Sequence, residues 1–156
     1  MAHELSFDEA TGVYEAAYVG TDKDVWHKLG QYVPVEEATT ARMMQESGLV
    51  YSIEQAPVQY VVNGELKTDE DKIVQYRSDN GQSLGVVGAG FETSQPAQIF
   101  ELMDQIKNEI GAEWDAAFAL FGGKKLVCQL KLDAPAMEII KGDLSNSYLT
   151  FACACD

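Results

Sequence analysis

Two histidines and three cysteines set the limits of the nucleophilic and metal chemistry open to this chain. His27 follows Trp26 in the stretch VWHKLGQYVP, and the sequence assigns it no serine or cysteine partner. A general base, a metal ligand and a structural latch all remain open for the ring. Trp26 and Leu29 are expected to anchor the N-terminal segment on a sheet, with His27 hydrogen-bonded and Gly30 permitting the turn toward Pro34. Cys153 and Cys155 are too close in sequence for a disulfide framework, and Cys128, His3 and His27 complete no standard metal spacing. The thiols instead continue an alternating row, Leu149, Phe151, Cys153 and Cys155, along one strand face. Neither a metal nor another cofactor is expected.

Phosphate chemistry fares no better. Gly85, Gly88 and Gly90 follow a predicted strand, but a dinucleotide fingerprint needs G-x-G-x-x-G opening a helix within a βαβ unit. Here the next helix begins several residues too late. Carboxylate pairs such as Glu36-Glu37 and the run Asp69-Glu70-Asp71 occur in a chain with 25 acidic residues, so a solvated surface accounts for them. Walker, zinc-protease and nucleophile-elbow motifs are absent. The expectation is a protein without catalytic residues.

Basic and aromatic side chains come together at two predicted hairpins. Tyr76-Arg77 ends one strand; Lys124-Lys125, with Lys131 following, borders another. Lysines can track phosphate while aromatic rings stack bases, as in single-strand binders. The competing reading is a set of charged gatekeepers at strand ends. A formal charge of −14 opposes duplex DNA through the average field, although an average can conceal a local patch.

The elements that must carry these residues follow from length and pattern. A chain of 156 residues, 46% of them hydrophobic, can bury one domain core without staples. No apolar run approaches the roughly 20 residues that span a bilayer, and the polar start MAHELSFDEA lacks signal-peptide features. An odd number of cysteines, two of them too close for a disulfide framework, fits a reducing compartment, so a cytoplasmic protein is expected.

Residues 1–34 read as an N-terminal arm holding the Trp-His latch, with AAYVG a short strand; residues 35–156 read as one α+β domain. Val35 to Ser47 reads as a helix stopped by Gly48. Leu49 to Val62 alternates and is interrupted at Pro57, and Asn63-Gly64 signals a type I′ turn. The segment ELKTDED reads as a polar return or loop. Lys72 to Arg77 and Gln82 to Val87 form a hairpin. Ile99, Phe100, Leu102, Met103, Ile106 and Ile110 mark an amphipathic helix that starts at Pro96 and ends at Gly111. Gly122-Gly123 separates a second hairpin, Gly142 to Asn146 reads as a turn, and Tyr148 to Cys155 as a last strand. The predicted fold is α+β: a mainly antiparallel sheet of hairpins packed against one long amphipathic helix, plus a shorter N-terminal helix.

Five stretches in order, MAHEL, AAYVG, WHKLG, YRSDNGQSLGVVGAGF and AFALFGGKKLVCQLKL, give the chain a further character. Together they resemble the phage/plasmid-like protein family of unknown function, encoded by phages, prophages and plasmids. The spacing before Trp26-His27 departs from that pattern through TDKD. The resemblance implies a mobile-element protein of the bacterial cytoplasm, a fold similar to single-strand annealing proteins, and a role in DNA metabolism. It also implies a longer family polypeptide, so the chain is either an N-terminal portion or a short relative.

Two functions follow. One is a self-assembling module that binds or anneals single-stranded DNA through Tyr76, Arg77, Lys124, Lys125 and Lys131. The other is an acidic counter-defence or DNA-mimic protein, steered by its charge to a basic host protein. Neither requires a membrane.

Overall fold

The computed structural model describes residues 4–20, 29–135 and 137–155. Trp26 and His27 lie outside these residues. The strands are β1 (Phe7–Asp8), β2 (Val13–Tyr14), β3 (Ala16–Val19), β4 (Gln31–Val33), β5 (Ile53–Val62), β6 (Glu65–Arg77) and β7 (Ser83–Gly88). After them come β8 (Glu113–Leu120), β9 (Lys125–Lys131), β10 (Met137–Ile140), β11 (Asp143–Ser145) and β12 (Tyr148–Ala154). The α-helices are α1 (Thr40–Glu46) and α2 (Pro96–Ile110).

These elements overturn the predicted architecture. The fold is mostly sheet, 47% strand against 20% helix, and among the described residues the strands divide among four sheets instead of forming one hairpin platform on a single long helix. The largest sheet has the order β12-β9-β8-β3-β4 and includes the parallel pair β3–β4; a second has the order β5-β6-β7. The broad α+β class still fits. The misreading has a physical origin. The segment AAYVG is the expected strand, β3, but the arm also supplies β4, and β3 pairs with β8, about a hundred residues away in sequence. Local hairpin signals cannot report such a pairing.

Three further differences are local in origin. The helix expected from Val35 to Ser47 is broken into a 3₁₀ turn over Val35–Glu37 and α1. Thr39 is extended there, and its hydroxyl accepts the Arg42 backbone N–H, the role that threonine prefers over the helix interior. ELKTDED is strand, not loop. Asn63 and Gly64 both adopt positive φ, 53° and 82°, and the tight turn they make locks Glu65 opposite Val62. The chain near Gly142 is the corner of a β10–β11 hairpin instead of a longer turn.

The core gathers between α1, α2 and one face of the five-stranded sheet. Ala17, Ala117 and Cys128 lie in register there, as do Trp114 and Leu130. Phe100 of α2 packs on Trp114 with ring centroids 5.4 Å apart. The Trp114 indole N–H donates to Thr40 Oγ1 at 2.9 Å, and Thr40 in turn donates to Asp104. That chain of bonds ties α1, β8 and α2 together and satisfies the buried indole. Gln95 caps α2 and exchanges two hydrogen bonds with the Ile53 backbone, fixing the helix start to β5. Leu102 and Ile110, expected on the apolar face of α2, are instead exposed.

Candidate functional site

Strand alternation dictates which side chains share the sheet face turned away from the helices. The register aligns Tyr18 with Ala116, Gln129 and Thr150, and Phe118 with Val127 and Ala152. Tyr32 on β4 sits beside Tyr18. The Tyr18 and Phe118 rings stack at 6.4 Å with an interplanar angle of 24°. Burial pushes the Tyr18 hydroxyl up to about 12, so it stays protonated at neutral pH and can donate a hydrogen bond.

A bulge adds chemistry to this face. Between Trp114 and Ala116 the β8–β9 register slips by one residue, and Asp115 is the extra one. Trp114 stays in the core, while Asp115 and Ala116 both line a cleft of about 550 Å³ with Glu4, Leu5, Tyr18, Phe118, Leu120 and Gln129 among the described residues. Asp115 Oδ2 accepts from Gln129 Nε2 at 2.8 Å, and Thr150 Oγ1 donates to Gln129 Oε1 at 3.1 Å. Burial pushes the Asp115 carboxyl above its usual range; the Gln129 hydrogen bond and the charge of Lys131 pull it partly back.

Lys125 and Lys131 stand at the two ends of β9, exposed and on this same face, with Gln129 and Val127 between them. Six strand rises separate them by about 20 Å. Lys124 lies next to Lys125 at the β8–β9 turn and is exposed. Tyr148 of β12, opposite Lys131, adds an exposed ring at the far edge.

No family model, no curated protein and no solved structure matches this chain. The reading of its site therefore rests on its own geometry.

Two residues of the predicted nucleic-acid set lie elsewhere. Arg77 is only 2% exposed. It donates from both terminal nitrogens to the Glu15 carboxylate and from Nε and Nη2 to Asp79, and its guanidinium lies 3.8 Å from the Tyr51 ring centroid. Its charge is matched inside the fold. Tyr76 belongs to the β5–β6–β7 sheet, and its hydroxyl donates to Glu54 at 2.8 Å. Gly30 has φ +97°, and a Cβ there would lie 2.6 Å from the Ala16 carbonyl oxygen. Its glycine is demanded by the close approach of the chain just before β4 to β3. Leu29 is half-buried beside it.

The cleft residues Tyr18, Phe118, Asp115 and Gln129 were not singled out by sequence. AFALF and VCQLK do alternate as strands, which is a signal for one shared face. Nothing local announces that Asp115 turns onto it.

Burial pushes the Cys128 thiol up to about 12, which makes it a core hydrophobe instead of a nucleophile. Among the described residues, no group of three or more His, Cys, Asp or Glu side chains could hold a metal ion. Nor is any described helix long and apolar enough to cross a membrane.

Proposed function

We propose that the chain is a mobile-element protein that binds single-stranded nucleic acid on the helix-free face of its five-stranded sheet, without chemistry of its own. The observation that carries this reading is the stacked Tyr18–Phe118 pair beside a strand with Lys125 and Lys131 at its ends. Rings stack bases without regard to sequence, and flanking ammonium groups neutralise phosphate. The resemblance to the phage/plasmid-like family supports the same reading. Self-assembly belongs to the proposal, and the long uncharged edge Val58–Val62 of β5 supports it by offering unpaired backbone.

The second reading, an acidic protein for a basic host partner, draws on a cleft of about 390 Å³ lined by Asp8, Glu15, Glu46 and Asp79 among others. Those carboxylates are largely matched internally: Glu15 and Asp79 by Arg77, Glu46 by Arg42 at 3.1 Å. The cleft thus has less charge to offer a partner than its composition implies.

Fluorescence anisotropy with a labelled oligothymidylate separates the two readings. Lys125→Glu combined with Lys131→Glu should weaken binding about tenfold or more. Phe118→Ala should cost about 1–3 kcal/mol, the usual value of one stacked base. Melting curves confirm that the variants fold. A wild-type chain that ignores the strand but binds oligolysine would favour the acidic reading.

A further inference from the structure

The cleft holds an anion where a polyanion is proposed to bind, and that conflict needs a resolution. Asp115 sits there because the bulge puts it there, and its Oδ1 takes no hydrogen bond from the described residues. A carboxylate can only accept, so the bond at Oδ2 fixes Gln129 with its NH₂ toward Asp115 and its carbonyl toward Thr150. One Gln129 N–H is thereby used, and the other makes no bond to a described residue.

The two side chains together present an ordered edge: donor from Gln129, then two acceptor oxygens from Asp115. Cytosine offers the same order on its Watson–Crick edge, an amino donor followed by a ring nitrogen and a carbonyl oxygen. The complement is acceptor, donor, donor, which is O6, N1–H and N2–H of guanine. Adenine sets its N6 amino group against the Gln129 donor and its N1 lone pair against the carboxylate, and thymine and uracil set a carbonyl against the carboxylate. The stacked Tyr18 and Phe118 rings line the same cleft, and its volume of about 550 Å³ accommodates a base.

We propose that the Gln129–Asp115 pair imitates a cytosine edge and reads a guanine base, a specificity that rests on the nucleic-acid reading above for its source of guanine. Two N–H donors to the carboxylate offset the repulsion that Asp115 exerts on neighbouring phosphate. Thr150 holds the amide, and so acts as a positioning residue.

The test uses the whole chain and oligothymidylates carrying one central guanine, hypoxanthine, adenine or cytosine, with guanosine and adenosine monophosphates as a second arm in calorimetry. Guanine should bind about tenfold tighter than adenine or cytosine, in line with one good bidentate contact. Hypoxanthine, which lacks the N2 amino group, should fall between. Asp115→Asn should erase the order of preference while leaving, or improving, affinity for plain oligothymidylate. Equal affinity of the wild type for all four strands overturns the proposal, as does an Asp115→Asn variant that keeps the preference. If guanosine monophosphate outbinds adenosine monophosphate while no strand binds, the guanine site stands and the strand reading falls. If no strand and neither nucleotide binds, both fall.

Discussion

Arg77 shows how the residue scale decides between surface and structure. Glu15 is 4% exposed, and its carboxylate is compensated chiefly by the two terminal nitrogens of this one guanidinium. Arg77→Met keeps the volume near Tyr51 but leaves the Glu15 charge buried and alone. We expect a loss of about 3–5 kcal/mol of unfolding free energy, read by urea denaturation. Adding Glu15→Gln should restore most of it, because the uncompensated charge is the larger part of the cost. Oligonucleotide affinity per folded molecule should not change; if it falls with stability restored, Arg77 reaches the ligand after all. The sequence could not give this placement. Tyr76 and Arg77 are adjacent, yet successive strand residues point to opposite faces, and only the register tells which one turns inward. The partner Glu15 lies 62 residues away. Asp115 was hidden for a related reason: a bulge breaks the two-residue period that would have assigned its side.

At the scale of elements, legibility follows locality. The β6–β7 hairpin, the turn at Asn63-Gly64 and the limits of α2 were all readable because each is specified within a few residues. The Gln95 cap, Pro96 and the left-handed Gly111 fix the helix wherever it docks. The assembly of β3, β4, β8, β9 and β12 into one sheet depends on distant pairings, and was not readable. The β5–β6 ribbon combines the two cases. Its turn is local, but its outer residues, including Tyr60, Val61 and Leu66, are exposed and add little to the core. Replacing Asn63-Gly64 by Ala-Ala forces two alanines into positive φ, at about 1–2 kcal/mol each. Amide exchange across residues 59–68 should accelerate about tenfold or more, with the main melting transition nearly unmoved. A large drop in the main transition would show that the ribbon is part of the cooperative core.

For the whole molecule the question is how a body of charge −14 approaches a phosphate chain at all. On the proposed strand-binding reading the attraction is local, from Lys124, Lys125 and Lys131 along and beside β9. The repulsion is global, and the two are screened differently. Three phosphate contacts on a single strand give a slope of log affinity against log salt of about −2, since each releases about 0.7 of a counterion. The opposing body field acts over longer distances and is largely screened at about 0.1 M salt, where the Debye length is about 10 Å. As salt falls to about 0.01 M that length grows to about 30 Å, and the acidic surface beyond the cleft begins to act on the strand. Binding should therefore strengthen on dilution only down to an intermediate ionic strength, then level off or reverse. Anisotropy titrations from about 0.01 to 0.3 M salt test this shape. Lys125→Glu with Lys131→Glu should reduce the slope at the high-salt end toward about −0.7, the value of one remaining contact. A slope near zero in the wild type would remove the lysines from the interface. A steep, uninterrupted rise at low salt would mean that a basic surface outside this face dominates.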